Sequence, residues 1–381
     1  MKKTVLTVAV VAVVLVVVVG IVVWRSANRT TSDEIVIAAV APQTGKYSEM
    51  GNDLLAAVRM AVDERNAAGG IGSRKIRLVV EDDGASPKDA VTVAQKIVGN
   101  SQVLGVVGHM NSGTTLPASQ IYADAGLALV MPVPTNPKIT QQGFRNLFRI
   151  PITDDLQGPA CMRFLLDNLK KTQIAIVHNK QAYGEGIASE AKKYLESRGL
   201  SPLNFDGFNA DEQDFRPLIG KVLRLQPEAL FLGGDYAEAA LFIRQARDQG
   251  LTVPIMMGDG CFDSQLMKIA GTATEGCYVS NIAPLTAPSP AADKFYKEFT
   301  AQNGKIVAFA PLGYEATCVL LDAIEKAQEK SRNGVLAALQ NPNYSFDGIL
   351  GKCSFAPNGD SRDRQVFMHA IKGDHFETVR Q

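Results

Sequence analysis

The stretch Gly108–Thr115, GHMNSGTT, joins two segments with different periodicities. The apolar run Val103–Val107 before it is typical of a strand buried on both faces, and Leu116–Tyr122 after it has helical spacing. A strand that ends in a loop of glycine and hydroxyl residues before a helix presents free backbone N–H groups and the positive end of a helix dipole. Such a junction predicts either an anion site with Ser112 among its donors or simple capping of the helix.

Strands and helices alternate on both sides of this stretch. The first series has predicted strands at 35–40, 76–80, 103–107 and 128–131 and predicted helices at 52–67, 86–98 and 116–122. The second series begins near residue 155, with strands at 174–177, 229–232, 255–257 and 277–279 and helices at 184–198, 215–224, 237–249 and 264–270. Helices at 291–302 and 311–327 and a β-like tail at 349–355 and 366–371 follow, and the strand-like segment 147–151 is expected to leave the first series. This alternation predicts an α/β fold with parallel sheets covered on both faces.

Length and charge narrow the class of protein further. A chain of 381 residues is longer than one hydrophobic core usually holds, so two lobes or domains are expected. Lysine and arginine together number 39, as do aspartate and glutamate, so no basic field favours nucleic acid as a partner.

The N-terminus carries a long apolar run, Val5–Trp24, behind Lys2 and Lys3. A run of about 20 apolar residues can span a bilayer, and a charged start before an apolar run also describes an export signal. The segment Trp24–Ala27 offers no convincing cleavage site, which slightly favours an uncleaved membrane anchor over a cleaved signal. Either interpretation places the chain from about Asn28 onward outside the cytoplasm.

Motifs for catalysis, metals and cofactors do not emerge from the sequence. Ser112 lacks the Gly-x-Ser-x-Gly turn of a nucleophile elbow, and no complete glycine-rich nucleotide motif is present. The cysteines form no CxxC pair, and their odd number of five leaves at least one thiol unpaired and the connectivity open. The histidines show no metal-binding spacing and are His109, His178, His369 and His375. We therefore expect neither an enzyme nor a cofactor.

Several short runs are informative together: Asn66–Ile71, Gly108–His109, Pro117–Ser119, Thr135–Pro137, Gln181–Gly186 and Arg244–Arg247. In their order and spacing, these runs resemble the leucine/isoleucine/valine-binding proteins, the extracytoplasmic receptors of branched-chain amino acid ABC transporters. The resemblance extends from about Ile35 to the end of the chain. It implies two lobes joined by three crossovers that close on a ligand. The family's first-lobe disulfide is absent, since Ala85 and Asn111 occupy its positions.

The resemblance also implies which residues bind the ends of an amino acid. Ser112 and Thr135 resemble the hydroxyls that hold the ligand carboxylate, with the Val133 carbonyl near the ammonium. Asp259 resembles a family glutamate that faces the ammonium. These roles agree with the chemistry, because a zwitterion requires hydroxyl or N–H donors at one end and an acid at the other.

Four further residues are predicted to line the ligand site by the same resemblance. Tyr183 resembles an aromatic residue of the second lobe, and Phe309 resembles one near the hinge. Met50 replaces an aromatic residue of the first loop, and Asp235 stands where an aromatic residue is common. The alternatives are lobe packing for Tyr183, capping or solvation for Asp259, and simple exposure for Met50.

Together these observations predict an α/β protein with two doubly wound parallel-sheet lobes, a three-crossover hinge and an N-terminal apolar helix. Residues 34–153 and 284–361 are predicted to form lobe 1, and 154–283 and 362–381 lobe 2, after a signal or anchor and linker at 1–33. The predicted function is capture of a branched-chain or related amino acid for the membrane permease of an ABC importer. A receptor of the same fold for an amide, urea or other small polar ligand and a membrane-tethered sensor remain alternatives.

Overall fold

The computed structural model describes residues 34–379 apart from 210, 285–286, 288, 305–308 and 363. The strands are β1 Glu34–Val40, β2 Lys75–Glu81, β3 Val103–Val107, β4 Ala128–Met131, β5 Leu147–Arg149, β6 Ile174–His178, β7 Phe205–Gly207, β8 Ala229–Gly233, β9 Ile255–Met257, β10 Cys277–Asn281, β11 Phe346–Gly348, β12 Gly351–Cys353, β13 Phe367–Lys372 and β14 His375–Thr378. The helices are α1 Ser48–Ala67, α2 Pro87–Gly99, α3 Ser112–Asp124, α4 Lys138–Gln141, α5 Asp154–Arg163, α6 Ala182–Ser197, α7 Arg216–Arg224, α8 Tyr236–Asp248, α9 Ser264–Ala270, α10 Pro290–Asn303, α11 Ala310–Lys326 and α12 Arg332–Leu339. The predicted N-terminal apolar helix lies outside the described residues. None of the helices within those residues has the length and hydropathy that are needed to cross a bilayer.

The strands form two main sheets, which confirms the prediction of two α/β parallel-sheet lobes. Lobe 1 is built on the parallel sheet β2-β1-β3-β4-β5. Lobe 2 is built on β14-β13-β10-β9-β8-β6-β7, parallel from β10 to β7, with β13 and β14 antiparallel at one edge. The chain passes between the sheets three times: from β5 to β6, from β10 to α11, which packs on β3 and β4, and from β12 to β13.

Both parallel sheets have the same strand order, and that order determines where a ligand site can form. In each sheet the first strand lies between the second and the third, so the winding reverses between β1 and β3 in lobe 1 and between β6 and β8 in lobe 2. Ligands of open α/β sheets bind at the carboxyl ends of the strands beside such a reversal. The loops that follow these strands are therefore the candidate site.

The strands are short apolar runs buried on both faces, as parallel strands covered by helices require. Every residue of β3, β6 and β8 is buried. Gly105 in β3 allows α11 to approach the sheet, because an ideal Cβ on it would lie 2.5 Å from Leu320 Cδ1. The predicted start of α2 is confirmed, with Pro87 in its first turn and the Ser86 hydroxyl accepting a bond from Asp89 N at 3.3 Å.

The structure corrects two details of the sequence analysis. Segment 147–149 does not leave the first lobe, since it forms β5 and pairs in parallel with β4. Helix α3 begins at Ser112, four residues before the predicted Leu116, and keeps Pro117 inside it. The helices α4, α5 and α12 and the strands β7, β11 and β14 were not predicted. Pro159 lies inside α5, and the sequence signal of proline there favours a break over a helix.

Candidate functional site

One cavity, with about 360 Å³ free of protein atoms, lies between the carboxyl ends of the two sheets. The structure brings all of the predicted site residues together around it. Four further lining residues were not predicted, although they lie next to predicted ones in the same loops: Met110, Asn111, Pro134 and Gly260. The predicted residues that line it are Met50, Ser112, Val133, Thr135, Tyr183, Asp235, Asp259 and Phe309.

The N-terminus of α3 forms part of the lobe 1 wall. Asn111 precedes the helix, and its side chain makes no capping hydrogen bond. The hydroxyls of Thr114 and Thr115 donate to the Asn111 carbonyl at 2.9 and 2.8 Å, so both are used within the helix. Ser112 Oγ accepts a long bond from Asn136 N at 3.4 Å, which leaves its own proton for a ligand. The wall therefore combines a hydroxyl with the positive end of a helix of 13 residues.

The loop after β4 supplies Val133 and Thr135, and a buried arginine holds it in place. Arg149 is fully buried and lies on β5. Its guanidinium donates to the Pro134 carbonyl and, at 3.1 Å, to the carbonyl of Asn136, while its Nε donates to Asp360 Oδ1 at 2.8 Å. Sequence analysis missed this residue, although a charged residue inside an apolar strand was a signal that it has a partner.

The lobe 2 wall is built around a tyrosine and an acid. Tyr183, the second residue of α6, donates its hydroxyl proton to Asp259 Oδ1 at 2.7 Å and accepts a bond from Gly260 N at 3.1 Å. Asp259 is 2% exposed, so it is not solvated by its loop. Burial raises the pKa of the Asp259 carboxyl to about 6 despite the Tyr183 hydrogen bond. A ligand cation beside it would favour the ionised form.

A second acid, Asp235, lines the same wall at the start of α8. It forms a reciprocal capping box with Glu238, whose Oε1 accepts from Asp235 N at 3.4 Å. Asp235 Oδ2 also accepts the hydroxyl proton of Tyr47 in lobe 1 at 3.0 Å. Burial raises the pKa of Asp235 to about 7, and the charge of Glu238 adds to the shift. No lysine, arginine or histidine is among the described residues that line the cavity.

Contacts between the lobes close one side of the cavity, and we call the group formed by Lys46, Tyr47, Asp235, Tyr236 and Glu238 the latch. Besides the Tyr47–Asp235 bond, Lys46 Nζ lies 3.3 Å from Glu238 Oε2. The hydroxyl of Tyr236 donates to the Lys46 carbonyl at 2.9 Å. The latch therefore joins the loop after β1 to the first turn of α8.

The apolar part of the cavity wall comes from two segments of lobe 1 that are far apart in the sequence. Met50 in α1 is 1% exposed and Phe309, just before α11, is 3% exposed, so the interpretation of Met50 as an exposed residue is wrong. Tyr183 lines the cavity and also packs against the core of lobe 2, so its predicted alternative of lobe packing holds in part. Two apolar side chains and Val133 offer a dry surface for the rest of a ligand.

No histidine or cysteine is among the described residues that line the cavity. His109 is fully buried, with Nδ1 2.6 Å from Asp83 Oδ2 and Nε2 3.1 Å from the Tyr122 hydroxyl. The five cysteines, all of them in the described part of the chain, are free thiols. Among the described residues, no group of histidine, cysteine and acidic side chains is placed to hold a metal ion.

The sequence of this chain is similar to the sequences of known proteins. A family model described as periplasmic binding protein matches residues 34–375. The leucine-, isoleucine-, valine-, threonine- and alanine-binding protein of Pseudomonas aeruginosa is 35% identical over 333 residues, which are 87% of this chain and 88% of that protein.

Solved structures show the same similarity. A leucine-binding protein from Thermotoga maritima superposes with a TM-score of 0.85 at 27% identity, over 91% of this chain and 98% of that one. A branched-chain amino acid transporter substrate-binding protein from Streptococcus pneumoniae, in complex with isoleucine, gives a TM-score of 0.83 at 25% identity over 91% and 99%. The fold is thus shared with a leucine-binding protein and with a substrate-binding protein in complex with isoleucine.

Proposed function

The chain belongs to the periplasmic binding protein family, and from this membership we propose that it captures an amino acid between its lobes and delivers it to an ABC importer. One observation carries the proposal: the two walls of the cavity offer groups of opposite electrostatic character. Ser112 and the N-terminus of α3 face it from lobe 1, and Asp259 faces it from lobe 2.

This contrast between the two walls matches the two charged ends of an amino acid. The carboxylate accepts bonds from the Ser112 and Thr135 hydroxyls, where the helix dipole also favours an anion. The ammonium pairs with Asp259 and donates to the Val133 carbonyl. Met50 and Phe309 contact the side chain. The absence of cations among the described lining residues supports this direction, since a carboxylate has no salt-bridge partner elsewhere in the cavity.

The proposal assigns binding rather than catalysis. Ser112 has no base beside it, because His109 bonds Asp83 and Tyr122 inside lobe 1. The relatives that the chain matches are named as an amino acid-binding protein and as a transporter substrate-binding protein. Delivery to a permease is part of the proposal for the same reason.

Closure by a hinge belongs to the proposal as well. Three chain passages connect the two sheets, and residues of both lobes line the cavity. Such an arrangement closes around a ligand when the connecting segments bend. The lobe boundaries that we propose are those predicted from the sequence, 34–153 with 284–361 and 154–283 with 362–381.

We also propose that the receptor lies outside the cytoplasm, tethered by the apolar run Val5–Trp24. Fractionation of expressing cells tests this when combined with N-terminal sequencing of the product. A membrane-bound product that retains the apolar run supports the tether. A soluble product that begins near Ala27 or later shows that the segment is a cleaved signal.

The binding function is tested by a thermal-shift screen of the purified full chain against amino acids, amides and urea. A ligand that binds the folded state alone stabilises it by about 2.7 kcal/mol at 100 times its Kd. We expect a clear rise in Tm with at least one aliphatic or small polar amino acid. A rise with amides or urea alone, and none with any amino acid, would contradict the proposal.

A further inference from the structure

We propose that Asp235 makes the cavity select amino acids whose side chain carries a hydrogen-bond donor over apolar amino acids of the same shape. Threonine against valine is the clearest pair, because the two differ by a hydroxyl in place of a methyl group. The inference rests on the proposed function, and it assigns to Asp235 a specificity role beyond its contacts in the latch.

The first step is that two carboxyl groups line the cavity, whereas the single ammonium of the ligand pairs with only one of them. Asp235 and Asp259 both line it, and no cation is among the described lining residues. Asp259 meets Tyr183 at its hydroxyl, with 2.7 Å between the two oxygens. The ammonium that pairs with Asp259 leaves Asp235 to meet another part of the ligand.

The second step concerns where the Asp235 carboxylate lies. An ideal Cβ built on Gly260 would fall 2.6 Å from Asp235 Oδ1 and 2.7 Å from Tyr183 Cε1. Because Gly260 has no side chain, Oδ1 can lie beside the turn that carries Asp259 and close to the edge of the Tyr183 ring. The carboxylate is therefore part of the wall of the cavity as well as the cap of α8.

The third step is the number of hydrogen bonds that Asp235 can still accept. An ionised carboxylate has about four acceptor sites. Tyr47 occupies one at 3.0 Å, and the capping box occupies another. The nearby cation Lys46 is bonded to Glu238 at 3.3 Å. Acceptor capacity remains for a ligand donor.

An apolar ligand side chain would cover this carboxylate without replacing its bonds to water. A site that holds a buried polar group discriminates strongly against an analogue that lacks the matching donor, since the group is then left unpaired. A threonine hydroxyl can donate to Asp235, whereas the matching methyl of valine cannot. We expect the wild type to bind threonine at least about tenfold more tightly than valine.

The test is calorimetric titration of threonine and valine into the full chain in detergent, with the ratio of the two Kd values as the readout. Asp235→Leu should remove the preference for threonine or reverse it. Asp235→Asn keeps the shape and a neutral acceptor, and it should reduce the preference to an intermediate value. Asp235→Asn thus carries the test if Asp235→Leu does not fold.

Tyr47→Phe is the matched control, because it removes the bond to Asp235 but keeps the carboxylate. Tyr47→Phe should weaken the binding of both ligands to the same extent and preserve the ratio of their Kd values. If Asp235 had only a structural role, this ratio would stay unchanged in every variant. Equal binding of the two ligands by the wild type, or an equal ratio in wild type and Asp235→Asn, overturns the inference while the amino-acid receptor function stands. A wild type that binds no amino acid overturns both.

Discussion

After its third strand, lobe 1 presents Ser112 to the cavity, and at the matching place lobe 2 presents Asp235. Ser112 is the first residue of α3, and Asp235 is the residue just before α8; each helix follows the strand beside the reversal of winding. The N-terminus of α3 has no side-chain cap, so its partial positive charge faces the cavity. The N-terminus of α8 is capped by Asp235 itself, so lobe 2 presents a carboxylate in its place.

The difference continues at the neighbouring strands. After its fourth strand, lobe 1 contributes Val133 and Thr135, and lobe 2 contributes Asp259. The same strand order thus places neutral groups on one side of the cavity and acids on the other. The topology determines where the ligand groups stand, and single residues at the loop positions determine their charge.

The largest effect is expected from the acid of lobe 2 that meets the ammonium. Removing one partner of a buried charge pair costs roughly 2–5 kcal/mol. Asp259→Ala should therefore weaken amino-acid binding about 30-fold to several-thousand-fold, as measured by calorimetry. Met50→Ala, which truncates an apolar residue on the lobe 1 side, should weaken it far less. Equal losses in the two variants would show that Asp259 does not pair with the ligand.

A smaller loss is expected on the lobe 1 side, where the ligand carboxylate meets a hydroxyl. A hydrogen bond to a charged group contributes about 1.5–3 kcal/mol, so Ser112→Ala should weaken binding by about 10- to 150-fold. Thr114→Ala is the control, since that hydroxyl donates to the Asn111 carbonyl inside the helix. It should lower Tm but leave the Kd unchanged. Loss of binding in Thr114→Ala and not in Ser112→Ala would reverse the assignment.

The acids of lobe 2 should also make binding depend on pH, in contrast with the neutral donors of lobe 1. Since burial raises the pKa of Asp259 to about 6, the unliganded site holds a proton below that pH. The ligand ammonium favours the ionised carboxylate, so binding expels this proton and weakens as the pH falls. The Kd should rise about tenfold between pH 7 and pH 5.

Variants separate the two acids, which is necessary because burial and the charge of Glu238 also raise the pKa of Asp235. Titration of Asp235→Asn should retain the inflection near pH 6, and titration of Asp259→Asn should lose it. In the unliganded protein the raised pKa of Asp259 acts on stability in the opposite sense. The native state there binds a proton that the unfolded chain has already released, so the free energy of unfolding falls as the pH rises from about 4 to above 6.

In both lobes the sequence predicted the strands better than the contacts between residues that are far apart in the chain. Apolar runs such as Ile255–Met257 and Ala128–Met131 were located to the residue, because parallel strands buried on both faces leave a continuous apolar signal. The resemblance located the predicted lining residues. Among them, Val133, Thr135 and Asp259 lie in the loops that directly follow those two strands. The contacts of Asp235 with Tyr47 and of Arg149 with Pro134 could not be predicted. They join residues far apart in the chain, and periodicity carries no information about such pairs.

The smallest effect concerns the latch, which joins the lobes rather than distinguishing them. The Tyr47 hydroxyl bonds Asp235 across the cleft at 3.0 Å, so this bond exists in the closed form and is lost when the lobes separate. Removing it with Tyr47→Phe should shift the equilibrium toward the open form by about 1 kcal/mol, and a ligand that binds the closed form then binds about fivefold more weakly.

Tyr344→Phe is the control for this last variant, because the Tyr344 hydroxyl donates to the Val319 carbonyl at 3.0 Å within lobe 1. It should leave both affinity and closure unchanged. X-ray scattering of the unliganded proteins should give a larger radius of gyration for Tyr47→Phe than for Tyr344→Phe, and saturation with amino acid should remove the difference, since ligand contacts on both walls then hold the lobes together. Equal radii without ligand, together with a weaker Kd for Tyr47→Phe, would mean that Tyr47 acts on Asp235 inside the site and not on the position of the lobes.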